Sequence, residues 1–159
     1  MLFVPPVAGS DVARIVFIRR SSSVGSHRGQ IGFPGGRADE GDESPADTAL
    51  RELAEELGVP PSAVTTHGTL PPAAALDGAP VIPVVASAAV DPASFTPSEH
   101  EVAAVLVAPW TDFAVGRDQA FRFNLFGNWR TSHRYTATGF TVWGLTAGII
   151  ARAALSPSS

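Results

Sequence analysis

The stretch ALRELAEELG, residues 49–58, packs three glutamates, Glu52, Glu55 and Glu56, into five residues of a chain that is only 16% charged. Leu50, Leu53, Ala54 and Leu57 recur at i, i+3, i+4 and i+7, the apolar stripe of an amphipathic helix. Ser44 suits the N-cap, Pro45 the first helical position and Asp47 the closing position of a capping box. Gly58 suits the left-handed residue that ends a helix. The spacing therefore predicts a helix over 45–57, but its charges are poorly placed for a helix alone. Glu52 and Glu56 form an i,i+4 like-charge pair that costs about 0.2–0.5 kcal/mol. Glu55 and Glu56 sit in the last turn, where the macrodipole disfavours each anion by roughly 0.3–1 kcal/mol. Arg51 offsets part of this if it pairs with Asp47 and Glu55. Two explanations stand side by side: a solvated helix face, or a bound divalent cation, since residues at i, i+3 and i+4 share one face and hard cations take carboxylate oxygens.

The surroundings are acidic as well. Asp39, Glu40, Asp42, Glu43, Asp47, Glu52, Glu55 and Glu56 make up eight of the chain's fifteen acids, and only Arg51 opposes them between 39 and 56. Net charge is −4, which argues against a nucleic-acid partner. All eleven cations are arginines, so lysine-based phosphate loops and Schiff bases are excluded and any phosphate clamp must use Arg. The chain has no cysteine, which excludes disulfides, thiolate nucleophiles and Cys-ligated zinc together. No apolar run approaches the roughly 20 residues of a membrane span, and MLFVPPVAGSD lacks the basic start of a secretion signal. A single domain over 1–159 in the cytoplasm is expected, with 155–159 as a flexible tail.

Strands are expected at LFVPP, RIVFIRR (14–20), QIGF (30–33), 63–70, 81–90 and 101–108, with QAFRFNLF and HRYTATGF as a late pair. PWTDFAVG starts a short helix, and VWGLTAGIIARAAL (142–155) is a second long one, apolar nearly all round. Mixed strands with two helices predict an α/β or α+β sandwich.

The segment GGRADEGDESPADTALRELAEELGV resembles the signature of Nudix hydrolases, G-x5-E-x7-R-E-U-x-E-E-x-G-U, where U is a bulky aliphatic. Arg51 to Val59 fit without exception. The first half holds one extra residue, which leaves Asp42 and Glu43 as alternatives for the family's first acid. That insertion, and VFIRRSSSVGSHRGQIGFPGG upstream, are similar to the coenzyme A pyrophosphatase branch. The match lies at Arg20, Ser21, His27, Gly29, Phe33, Pro34, Gly35 and Gly36; Gly25 stands where that pattern has an arginine. VIPVV (81–85), EVAAVLVAPW (101–110) and VWGLTAGII (142–150) extend the similarity along the chain. Members of that branch usually carry more chain before the first strand, so a short or trimmed N-terminus is expected.

The resemblance implies an α/β fold, the Nudix α/β/α sandwich around a central mixed sheet. It implies hydrolysis of a nucleoside diphosphate derivative with Mg²⁺ or Mn²⁺ held by Glu52, Glu55, Glu56 and the Gly36 carbonyl. Glu52 or Glu101 is the implied base, and Arg51 braces the carboxylates. Gly35 lets backbone approach metal and phosphate, and Arg20, His27 and Arg28 are candidates for substrate phosphates. The expected substrate is coenzyme A or acyl-CoA, with ADP-ribose or NADH as alternative. A homodimer is possible. A non-catalytic binding module is disfavoured, because all three glutamates are present. Trp110, Trp129 and Trp143 are expected mainly in packing, Trp143 on the C-terminal helix, and His67, His100 and His133 show no metal spacing.

Overall fold

The computed structural model describes residues 1–22, 29–75, 78–125, 127–137 and 139–155. The expected sites His27 and Arg28, and tail residues 156–159, lie outside them. The first half contains β1 (Leu2–Val4), β2 (Arg14–Arg20), β3 (Ile31–Gly32), α1 (Pro45–Leu57), β4 (Val64–Thr69) and β5 (Ala73–Ala74). The second half contains β6 (Pro80–Val81), β7 (Val84–Ala88), β8 (Val102–Pro109), β9 (Gln119–Leu125), β10 (Asn128–Ala137), β11 (Phe140–Trp143) and α2 (Gly144–Leu155).

β2 is the axis of the main sheet. Its Ile15, Val16, Phe17 and Ile18 are all fully buried, as in a strand covered on both faces. Strand alternation sends them to two separate cores. Ile15 and Phe17 pack with Ala147, Ile149 and Ile150 of α2, while Val16 and Ile18 pack with Leu53 and Leu57 of α1. One edge of β2 pairs antiparallel with β8. The other takes β1 at Arg14–Val16 and β3 at Ile18–Arg19, also antiparallel. β1 then pairs parallel with β7, and β7 antiparallel with β4. The sheet is therefore mixed, with one helix on each face, and the α/β/α sandwich is observed. β9, β10 and β11 form a second, antiparallel sheet, and β5 and β6 a short ladder.

α1 forms as its capping residues dictate. Ser44 accepts from the Asp47 N–H, and Gly58 takes the left-handed conformation at φ 67° while donating to Ala54 O. The Gly58–Ala54 bond is that of an αL cap, and the Val59 N–H reaches further back to Leu53 O at 3.3 Å. Two further carbonyls of the last turn are closed by a distant segment: Thr96 N–H donates to Leu57 O (2.9 Å) and Ser98 N–H to Glu56 O (3.0 Å). This segment leads directly to Glu101 and β8, so it ties the start of that strand to the glutamate end of α1.

The late elements differ from expectation. Residues 119–125 pair with 128–134, and 134–137 with 140–143, so three strands stand where two were expected. Gly127 and Gly139, at φ 83° and 86°, make the two turns. The C-terminal helix begins at Gly144, and Trp143 ends β11 with 52% exposure rather than packing inside a helix. α2 buries Ala147, Ile149 and Ile150, and only Arg152 and Leu155 of its residues are exposed. Glu101 lies in the turn before β8, and Trp110–Phe113 is a single 3-10 turn. Among the described residues, no helix is long and apolar enough to cross a membrane.

A Cβ added at Gly58 would run into the Thr96 side chain as well as take a left-handed backbone. Gly58→Ala is expected to lower stability by about 1–2 kcal/mol from the backbone alone. It should appear as a reduced urea midpoint at unchanged slope.

Candidate active site

Arg51 closes a clasp between α1 and the loop before it. Its Nε donates to Asp42 Oδ1 at 3.2 Å and its Nη2 to Asp42 Oδ2 at 3.0 Å. Nη1 reaches Glu52 Oε1 at 3.2 Å and Glu55 Oε2 at 3.0 Å, and Nη2 also donates to Arg37 O at 2.9 Å. One guanidinium fork thus serves three carboxylates and a carbonyl, which a point-charge ammonium could not do. The hydrogen bond from Arg51, helped by the Asp39 N–H, holds the Asp42 carboxyl at about 2. Glu43 is exposed and forms no ion pair among the described residues, so Asp42 is the acid that meets the helix. The expected Arg51–Asp47 pair is not observed. Asp47 is engaged by its own cap instead, with Ser44 Oγ 2.7 Å from Asp47 Oδ2.

Glu56 is the most enclosed acid of the cluster, 1% exposed. Its Oε2 accepts from the Gly35 N–H at 2.9 Å. Arg20 Nη2 donates to Gly35 O at 2.8 Å and stands 3.7 Å from Glu56 Oε1. Burial pushes the Glu56 carboxyl up to about 7; Glu52 and Glu101 push the same way, against the Gly35 hydrogen bond and Arg20. Burial also raises Glu52, against the pull of Arg51. Gly36 passes so close to Glu52 that a Cβ there would collide with the carboxylate. Gly35 holds φ 141°, a backbone that side-chain-bearing residues rarely adopt. Glu55 is more open, its side chain 54% exposed beside Arg51.

The carboxylates of Glu52, Glu56 and Glu101 therefore act on one another at the C-terminal end of α1, next to a glycine backbone. Among the described residues, no three carboxylate or imidazole side chains are gathered into a ready-made metal cage. A hard cation that keeps several waters needs only one or two carboxylates and completes its shell with substrate phosphates. The donor set fits such an ion: oxygen ligands only, two carboxyls raised by burial, and a backbone kept bare of side chains. Glu52 and Glu56 are the first candidates to hold it, with Glu55 and the Gly36 carbonyl beside them.

The remaining candidates lie elsewhere. His67 bonds Ser87 Oγ at 2.7 Å, and His133 Nδ1 bonds Asp118 at 2.7 Å. Trp110 packs edge-on against Phe3, with ring centres 5.3 Å apart, as expected of a core residue. Trp129 is 62% exposed, with the Arg122 guanidinium 5.4 Å from its ring centre. Sequence reasoning missed the contact of Arg20 with Gly35 and Glu56. A signal was present: Val16, Ile18 and Arg20 alternate onto the face of β2 that meets α1.

Comparison with known proteins agrees with this architecture. Residues 5–126 match the NUDIX domain. The chain is 37% identical over 156 residues to NudL of Pectobacterium atrosepticum, an uncharacterized Nudix hydrolase, covering 96% of this chain and 80% of that protein. The crystal structure of the Mycobacterium smegmatis Nudix hydrolase RenU superposes with a TM-score of 0.57 at 22% identity, over 70% of this chain and 68% of that one. The Nudix domain of Shewanella oneidensis NrtR, complexed with ADP ribose, superposes with a TM-score of 0.50 at 26% identity, over 70% of each chain.

The raised Glu56 carboxyl has a signed consequence for stability. Below its ordinary value of 4.5 it is protonated whether the chain is folded or not. Between 4.5 and about 7 the unfolded chain releases the proton while the folded one keeps it, so this group's contribution to stability falls as pH rises through that window. In EDTA, Glu56→Gln is expected to melt above wild type at pH 8 and close to it below pH 4.5. Thermal unfolding across the pH range checks this.

Proposed function

Because the chain belongs to the Nudix family, we propose that it is a Mg²⁺- or Mn²⁺-dependent pyrophosphohydrolase that splits coenzyme A or acyl-CoA into 3′,5′-ADP and (acyl-)4′-phosphopantetheine. The observation that carries the reading is the junction of two motifs. Arg20 and Gly35, from the upstream pattern of the coenzyme A branch, meet Glu56 of the Nudix helix directly. That contact supports reading the upstream pattern and the helix as one site.

Glu52, Glu55, Glu56 and the Gly36 carbonyl are the residues that would hold the ion. When bound, it lowers the pKa of a coordinated water and offsets charge on the phosphates. Arg51 fixes Glu52 and Glu55 against the loop, so their orientation is set before substrate arrives. The bare backbone at Gly35 and Gly36 leaves room for a pyrophosphate beside the carboxylates. Glu52 and Glu101 are the two candidates to take the proton of the attacking water. His27 and Arg28 are the candidates for the 3′-phosphate. The same reading has a cytoplasmic enzyme whose ligand is a small nucleotide, and a homodimer is compatible with it.

A second reading, another nucleoside diphosphate derivative such as ADP-ribose or NADH, is favoured by Gly25, which stands where the branch pattern has an arginine. The NrtR Nudix domain complexed with ADP ribose points the same way.

Chromatography of coenzyme A and ADP-ribose, each incubated with the protein and Mn²⁺, separates the readings. The expected result is 3′,5′-ADP from coenzyme A and little turnover of ADP-ribose; the reverse pattern would sink the substrate assignment. Glu56→Gln is expected to lower kcat by about 100-fold or more, the scale of losing a preorganised electrostatic contact to the reacting group.

A further inference from the structure

We infer that Arg20 is a positioning residue for the hydrolysis, locking the Gly35 peptide and the Glu56 carboxylate into one rigid unit rather than binding substrate phosphate. The inference rests on the functional reading above and assigns Arg20 a role within it.

The fold delivers Arg20 to this place by strand alternation along β2, next to an irregularity in its partner strand. From Arg14 to Arg19, β2 pairs with β8 in one register; between Arg19 and Arg20 the register shifts, so Arg20 faces Val102 and Ala103 is left as the extra residue. The bulge lies on β8, which bends there, while β2 runs on without an inserted residue. The shifted register continues past the strand, where Ser21 N–H donates to Glu101 O at 2.8 Å. On the other edge, Arg20 N–H donates to Gln30 O at 3.0 Å and Arg20 O accepts from Gly29 N–H at 3.1 Å. The Arg20 backbone is thus pinned on the β3 side, and Ser21 beside it on the β8 side. Its side chain continues the row of Val16 and Ile18 towards α1.

There it completes a closed circuit. Arg20 Nη2 donates to Gly35 O, the Gly35 N–H donates to Glu56 Oε2, and Glu56 Oε1 faces Arg20 Nη2 at 3.7 Å. The N–H and the C=O of Gly35 are both used within this circuit, which holds the residue at a φ of 141°. Arg20 is the one cation paired with Glu56 among the described residues, and a carboxylate this buried requires a partner. Both contacts run through Nη2, so the place of the Arg20 head is set by Gly35 and Glu56 before any phosphate arrives.

The test uses Arg20→Gln and Arg20→Lys in the full chain, with Mn²⁺ binding followed by electron paramagnetic resonance and kinetics on the nucleotide that wild type hydrolyses. Positioning predicts that Arg20→Gln lowers kcat by about tenfold or more at a KM within about twofold. It also predicts Mn²⁺ binding weakened by about tenfold, as when a group supporting metal ligands is lost. Arg20→Lys should recover part of both and, since it keeps the charge, serves if Arg20→Gln does not fold. A raised KM with kcat and Mn²⁺ affinity unchanged would make Arg20 a substrate-binding residue and overturn the inference, as would variants indistinguishable from wild type. Wild-type protein that neither binds Mn²⁺ nor hydrolyses a nucleotide would overturn the functional reading itself, before any variant is compared.

Discussion

The contact on which this site depends is the hydrogen bond from the Gly35 N–H to the Glu56 carboxylate, 2.9 Å long and made below the surface. Glu56 lies at the poor end of a helix for an anion and is almost wholly removed from water. Burial raises its carboxyl to about 7, so near neutral pH it stands balanced between neutral and ionised forms. A carboxyl in that condition has a large stake in any cation that comes within reach. The fold keeps it there because Leu53 and Leu57 on the same helix pack into the core, and because the helix end is closed by Gly58, Thr96 and Ser98. Hydrophobic packing supplies the stability that the charge arrangement gives away.

The loop and the helix are held by two arginines of different character. Arg51, at the outer side, gathers Asp42, Glu52, Glu55 and the Arg37 carbonyl, and removes much of the repulsion that the helix sequence builds in. Arg20, from the sheet, reaches the inner side and grips the loop by backbone. Between them lie Gly35 and Gly36, where a side chain would strain the chain or strike Glu52. A family member with an added loop residue can keep this arrangement because the Arg51 fork needs an acid within reach, and Asp42 meets it.

The helix, its two ends and its acidic cluster were legible because caps and periodicity are local. The axis strand was legible for the same reason, since Ile15 to Ile18 form an apolar run that only a doubly covered strand can hold. The late strands are three rather than two because Gly127 and Gly139 each make a turn that starts a new strand. Trp143 accordingly ends the last of them rather than joining the helix. Within the site, residue types pointed to Glu52, Glu55, Glu56, Gly35 and Gly36. Asp47 and Glu55 are the helix-spaced partners of Arg51, whereas its pairing with Asp42 depends on the path of the loop, which the sequence does not record. Alternation along β2 puts Arg20 on the face that meets α1, but its contact with Glu56 also needs Gly35 in place, and only the path of the loop decides that.

The central claim is that the acidic end of α1 holds a divalent cation. The most direct test follows the unfolding temperature at pH 8 against Mg²⁺ concentration, for wild type and for a variant carrying both Glu52→Gln and Glu56→Gln. An ion that binds only the folded chain raises the midpoint in step with the logarithm of its concentration. The claim predicts that rise in wild type and a flat response in the double variant. A flat wild-type response, or an equal rise in both proteins, would contradict it.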